Sequence, residues 1–298
     1  MTVISKIKQS SLMGAAALLA VAAMPSAAIA GSSGGGGGGG GDDFDSLLSE
    51  ARGTGPCSVS EVSPAFSPNT FFVPSGGGGN YNILGWGNGT GGTVGSYDGM
   101  LERLASHCIL VAAAETSSSG DGTEIRDAVN DARSRYSSIL ASNPRVCTSG
   151  HSQGGGGSFN AAGRLGADCV ISVQADTVFT TRITQTLPAD ADVVALWSSA
   201  DTLAPRGTNS GNTFGAARDT YVSIETQGES HFAPNSGTGG DIGAVQRLAA
   251  KALLGNDQAE RTRFRQALYG PTTSSTVTTS NSDISYTFRN ADAENEQP

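Results

Sequence analysis

The chain has 298 residues, of which 18 are Lys or Arg, 27 are Asp or Glu and 42 are Gly, with a net charge of −9. So acidic a balance argues against nucleic acid and anionic membrane surfaces as partners, and for solubility. The four cysteines are an even number.

In chain order, residues 1–30 carry the pattern of an export signal. Lys6 and Lys8 precede an apolar run from Leu12 to Met24, and small residues ending in Ala28-Ile29-Ala30 supply a cleavage pattern. The run falls short of the ~20 residues needed to span a bilayer. A cleavable signal peptide is therefore expected, with a secreted or periplasmic location and no membrane insertion. No Cys lies near the cleavage site, so no lipid anchor is expected. Cleavage removes two lysines and no acid, which moves the net charge from −9 to −11. Residues 31–41 form a Gly-rich linker with no side chains to bury. Residues 42–298 are expected to form one domain.

From residue 57 onward, short β-rich runs alternate with helical patterns, which predicts an α/β fold. Strands are expected at 57–63, 69–73, 81–86, 108–114, 145–150, 169–174, 192–198 and 220–226. Ile109-Leu-Val-Ala-Ala-Ala114 and Val193-Val-Ala-Leu-Trp197 are continuous apolar runs, as in strands buried on both faces. Tyr97, Met100, Leu101 and Leu104 share one helical stripe, and Ile125, Val129, Ala132, Tyr136 and Ile139 do so across 123–140, before Asn143-Pro144. Further helices are expected at 153–165, 241–254 and 257–269. The tail at 272–298 reads as disordered or as an edge strand.

In an exported chain, Cys57, Cys108, Cys147 and Cys169 read as two disulfides with three possible connectivities. Cys147 and Cys169 each begin strands expected to be parallel neighbours, which favours pairing them and leaves Cys57 with Cys108. No pair has CxxC spacing and only His107 adjoins a cysteine, so no metal site is expected.

The segment that carries chemistry is Gly150-His151-Ser152-Gln153-Gly154, a G-x-S-x-G between an expected strand and an expected helix. Such a turn exposes the Ser152 hydroxyl, and the helix N-terminus behind it faces developing negative charge. An ordinary glycine-rich turn is the competing reading. Serine needs a base, and the chain has three histidines. His151 adjoins the serine and is expected to point elsewhere, whereas His107 precedes a strand at the opposite end of the sheet. His231, in a loop after the last strong strand, fits the order Ser…Asp…His. Asp201 follows the 192–198 strand and is the expected acid, with Asp176 as competitor. Gly85-Trp-Gly-Asn-Gly-Thr-Gly-Gly92 follows the 81–86 strand, and places the oxyanion donors at Gly89, to within one residue, and Gln153. The same stretch contains Gly87-x-Gly89-x-x-Gly92, which with Glu115 makes a dinucleotide-binding fingerprint the main rival.

Four segments resemble bacterial cutinases and polyester hydrolases, in the dienelactone-hydrolase-like branch of the α/β-hydrolases. Leu104-Ala-Ser-His-Cys-Ile-Leu-Val is similar to the family's LASHGFVV, and Gly150-His-Ser-Gln-Gly-Gly-Gly-Gly to GHSMGGGG. Asp201-Thr-Leu-Ala-Pro is similar to DTIAP, and Ser230-His-Phe-Ala-Pro-Asn to SHFAPN. The resemblance covers roughly residues 55–271. It implies an α/β-hydrolase fold with a mostly parallel central sheet flanked by helices, a Ser152–His231–Asp201 triad, an ester or polyester substrate, a monomer, and neither cofactor nor catalytic metal. Three departures bear on substrate: the family's PGYTG loop reads Gly87-Asn-Gly-Thr-Gly91, the Met after the nucleophile is Gln153, and Val173-Gln-Ala-Asp176 stands where the family has a Trp clamp. A wider, less aromatic cleft is expected, with aliphatic esters preferred over poly(ethylene terephthalate) and Trp86 as the one ring able to supply a substrate wall. A small-molecule or lipid esterase, and a secreted binding protein on a non-catalytic scaffold, are the alternative readings.

Overall fold

A computed structural model describes residues 44–269 and 284–290. The expected signal peptide and glycine linker lie outside the described residues, as does the tail apart from 284–290.

Among the described residues, nine strands form one sheet. They are β1 (Ser58–Val62), β2 (Asn69–Ser75), β3 (Asn82–Gly87), β4 (Ile109–Ala114), β5 (Val146–His151), β6 (Cys169–Val173), β7 (Asp192–Ser198), β8 (Tyr221–Thr226) and β9 (Ile284–Arg289). Their order is β1-β2-β4-β3-β5-β6-β7-β8-β9. The six from β4 to β8 are parallel, and the antiparallel pairs lie at the edges, β1 on β2, β2 on β4 and β9 on β8. Within the tail, 284–289 is thus an edge strand.

The helices are α1 (Phe44–Arg52), α2 (Asp98–Ala105), α3 (Thr123–Arg135), α4 (Gln153–Leu165), α5 (Arg206–Ala216), α6 (Gly240–Leu254) and α7 (Gln258–Tyr269). Alternation along β4 shows how they cover the sheet. Ile109, Val111 and Ala113 join a core containing Leu48 of α1, Leu104 of α2, Leu248 of α6 and Phe264 of α7. Leu110, Ala112 and Ala114 join the opposite core with Val129 of α3 and Phe159 of α4. With both faces covered, the central strands are apolar throughout.

Three helices, α3, α5 and α1, depart from expectation. α3 ends at Arg135 rather than near 140, because the chain turns at Tyr136 to pair with the start of β3, with Tyr81 N–H donating to Ile139 O and Ala141 N–H to Tyr81 O. α5 was not anticipated, since Arg-Gly-Thr-Asn-Ser-Gly-Asn-Thr-Phe-Gly-Ala has neither propensity nor an apolar stripe. α1 was also missed, although Phe44, Leu47, Leu48 and Ala51 have helical spacing. It is tied to α6 by Lys251, which is buried and pairs with Glu50 at 2.7 Å.

Both expected disulfides are present. Cys147 and Cys169 are direct register partners on β5 and β6, with Cα atoms 4.5 Å apart. Cys57 and Cys108 are 5.3 Å apart at Cα and join the start of β1 to the start of β4. No described helix is long and apolar enough to cross a membrane.

Candidate active site

The loops after β3, β5, β6, β7 and β8 gather at the carboxyl ends of the parallel strands, where open α/β sheets bind ligands. Ser152 sits between β5 and α4 with φ 54° and ψ −116°, a conformation that costs a non-glycine residue ~1–3 kcal/mol. Neighbouring strands hold it there. Ser152 N–H donates to Val173 O at 3.0 Å, and Asp176 N–H donates to Ser152 O at 2.9 Å. A side chain on Gly154 would collide with the Gly87 carbonyl, so the helix can start this close to β3 only with glycine. The Gln153 N–H, first in α4, has no hydrogen-bond partner among the described residues. Its side chain is turned aside, with Oε1 accepting Ser119 N–H at 3.2 Å.

His231 is buried in the loop after β8, and its Nδ1 lies 2.8 Å from Asp201 Oδ2. Asp201 Oδ1 accepts the amides of Leu203 at 2.8 Å and Ala204 at 3.0 Å. Burial alone would raise this carboxyl, but the hydrogen bonds from His231 and Ala204 hold it below the usual carboxylate range. The competing acid, Asp176, is turned inward on its own loop. Its carboxylate accepts the amides of Val178, Phe179 and Thr180 and the Thr180 hydroxyl, at 2.6–3.0 Å. Of the two, only Asp201 reaches His231. Ser152 and His231 line one cleft of about 530 Å³. No hydrogen bond joins the Ser152 hydroxyl to His231 among the described residues, a looseness common in nucleophile–base pairs before substrate binds.

Three expectations are corrected. The Gly89 N–H is not free to bind an oxyanion, because it donates to Tyr97 Oη at 3.0 Å. One residue on, Thr90 is exposed on the same cleft, and its N–H has no partner among the described residues. Trp86 supplies no substrate wall. It is fully buried, packs edge-on against Tyr97 at 5.1 Å, and its indole N–H donates to Asn88 Oδ1 at 3.1 Å. His151 does not point away from the site, since its ring lies 4.6 Å from that of His231, and it lines the cleft. His107 is at the opposite end of the sheet as expected, buried near Lys251 and Arg247. Burial first, then those two cations, pushes it down to about 3.

The cleft is more aromatic than the sequence suggests. Phe179, Leu203 and Phe232 line it, 74%, 53% and 60% exposed. The turn that Asp176 caps carries Phe179. The available signal was Asp176-x-x-x-Thr180, a carboxylate and hydroxyl spaced to close a turn.

The dinucleotide reading loses most of its loop donors, the Gly89, Gly91 and Gly92 amides being taken. Gly91 N–H donates to Ser117 O and Gly92 N–H to Gly89 O, while Glu115 accepts the Thr70 hydroxyl and the Val94 amide. A single 3-10 turn (Val94–Ser96) follows Gly92 and α2 begins only at Asp98, so no α-helix N-terminus follows Gly92 directly. Compared with known proteins, the chain matches no family model and no curated sequence.

Proposed function

We propose that this chain is an exported serine ester hydrolase with an α/β-hydrolase fold, working through an acyl-enzyme like the cutinases and polyester hydrolases it resembles. One observation carries the reading: a strained, cleft-lining Ser152 at a helix start shares that cleft with His231, whose Nδ1 is 2.8 Å from the buried carboxylate of Asp201. Two disulfides and the leader pattern at 1–30 support export.

An ionised carboxylate only accepts, so Asp201 places the His231 proton on Nδ1 and leaves a lone pair on Nε2. Nε2 takes the Ser152 proton as Oγ attacks the ester carbonyl. The resulting oxyanion is held by the amides of Thr90 and Gln153, with the N-terminal end of α4 behind it. His231 then protonates the departing alcohol. Water, deprotonated by His231, cleaves the acyl-serine and restores the free hydroxyl.

The test is turnover of p-nitrophenyl butyrate, with covalent capture of the serine by a p-nitrophenyl phosphonate. Ser152→Ala is expected to fold, to lose on the order of 10⁶ in kcat, and to escape labelling. A wild-type protein that neither turns over the ester nor carries phosphonate on Ser152 would overturn the assignment.

A further inference from the structure

Three hydrogen bonds at the cleft link four residues and are not used by the mechanism above. Gly89 N–H lies 3.0 Å from Tyr97 Oη, Tyr97 Oη lies 2.8 Å from His151 Nδ1, and His151 Nε2 lies 2.8 Å from the His231 carbonyl oxygen. All are buried, so an unmade bond at any of them carries a desolvation cost.

The direction of each bond follows from what each atom can do. The His231 carbonyl only accepts, so His151 Nε2 carries a proton. Burial, with His231 next in effect, pushes His151 down to about 3, so the ring is neutral and its Nδ1 is an acceptor. Tyr97 must then donate to Nδ1, and burial, by raising the phenol, keeps that proton in place. The phenol oxygen is left to accept the Gly89 amide. One ordered chain results, from Gly89 N–H to Tyr97 O–H to His151 Nδ1, and from His151 Nε2–H to the His231 carbonyl.

We infer that Tyr97 and His151 are positioning residues for the ester hydrolysis, a one-way relay that fixes the oxyanion loop and the base loop against the nucleophile turn. The geometry stands by itself, and its catalytic consequence rests on the proposed function. Drawing the Gly89 amide back onto Tyr97 leaves the next amide, that of Thr90, as the unpartnered donor at the cleft. At the other end, the His231 backbone is gripped by His151, while Gln174 Nε2 donates to the adjoining Ser230 carbonyl at 3.0 Å. The His231 ring is thereby presented to Asp201 and to Ser152 together. Tyr97 is itself seated by the buried Trp86 ring, so the relay has little room to move. A Cβ on Gly89 would stand 3.0 Å from Tyr97 Oη and 3.1 Å from His151 Nδ1, so a side chain there would press on both partners of the Tyr97–His151 bond.

The first measurement needs no activity. In protein with ¹⁵N-labelled histidine, His151 is expected to show a protonated Nε2 and a bare Nδ1, unchanged between about pH 5 and 8. The opposite tautomer, or titration in that range, overturns the relay. The second uses Tyr97→Phe, which keeps the ring and removes the hydroxyl. Turnover of p-nitrophenyl butyrate is expected to fall roughly ten- to a hundredfold with KM within about twofold, and a boronic acid adduct of Ser152 should weaken by a similar factor. His151→Gln, able to accept and donate at the same two partners, is expected to exceed His151→Leu by about tenfold in kcat. A structural role would instead lower melting temperature and active fraction without that split. Wild-type kcat in Tyr97→Phe, or a change confined to KM, overturns the inference. Were the wild type inert toward esters while His151 kept the stated tautomer, the proposed function would fall and the hydrogen-bond relay would stand.

Discussion

Asp201 Oδ2 lies 2.8 Å from His231 Nδ1, while its other oxygen is capped by the amides of Leu203 and Ala204. The arrangement fixes the carboxylate from behind, so the histidine meets an acceptor that cannot swing away. Asp176 has the same number of oxygens and a similar burial, yet its acceptors are filled by its own turn. The two acids therefore give opposite expectations on mutation. Asp201→Asn should lower kcat by roughly 10⁴ with little change in melting temperature. Asp176→Asn should lower stability and keep most of kcat on a small ester. Steady-state kinetics beside thermal melts separate them, and a larger kcat loss in Asp176→Asn would show that the acid is misassigned.

Ser152 also stores strain that can be released. At φ 54°, glycine is at ease where serine is not. Ser152→Gly should therefore be inactive and more stable than Ser152→Ala by about 1 kcal/mol, net of the entropy glycine adds to the unfolded chain. For a domain of this size the gain is about 2–4 °C in melting temperature. Equal melting temperatures in the two variants would mean that the elbow is not strained.

Much of this site was legible because its signals are local. Ser152 announces itself through glycines two residues on either side, and the apolar runs of β4 and β7 mark buried parallel strands. The Cys147–Cys169 bridge followed from strand adjacency. What stayed hidden depends on contacts between distant residues. Nothing near Tyr97 says that it meets a histidine 54 residues away, and so nothing told that the Gly89 amide was taken. Trp86 looked available because it adjoins a loop, but alternation along β3 turns it into the core. α5 was invisible for another reason. It buries Asn209 and Thr213 rather than an apolar stripe, so hydrophobic period gives it no trace.

Acid should destabilise the protein earlier than its carboxylates alone would. His107 and His151 are both held down to about 3 by burial, against ~6.5 when unfolded. Their folded values lie below their unfolded ones, so the unfolded chain takes up protons that the native state refuses. The contribution of each is complete above pH ~6.5 and declines by up to ~1.4 kcal/mol per pH unit toward pH ~3. At pH 5 the pair together would remove about 4 kcal/mol. Denaturant melts at pH 7 and pH 5 should show that drop, and His107→Leu should roughly halve it. An unchanged pH dependence in His107→Leu would mean that this ring is not held neutral.

On the proposed function, the cleft walls would decide which acyl groups are accepted. The missing Tyr and Trp of the resembled family predict a bare cleft, but Phe179 and Phe232 line it instead. Exposed rings of this size normally cost solubility, so their place on the wall of a cleft that holds Ser152 points to contact with substrate. Two esters with one leaving group isolate the acyl side, p-nitrophenyl benzoate and p-nitrophenyl acetate. A ring stacked on benzoyl adds ~0.5–1.5 kcal/mol beyond its buried area. Since 1.4 kcal/mol is tenfold, Phe179→Ala should lower the benzoate-to-acetate ratio of kcat/KM by roughly three- to tenfold. Phe232→Ala carries the added disturbance of the His231 ring, which it meets edge-on at 5.6 Å, so both esters should slow in that variant. The ratio, rather than either rate, is therefore the quantity to read. If the rings hold substrate from separate sides, their effects on the ratio should add in the double variant. A ratio that stays at the wild-type value in Phe179→Ala would place the acyl group away from that wall, and would restore the expectation that flexible aliphatic esters are the better substrates.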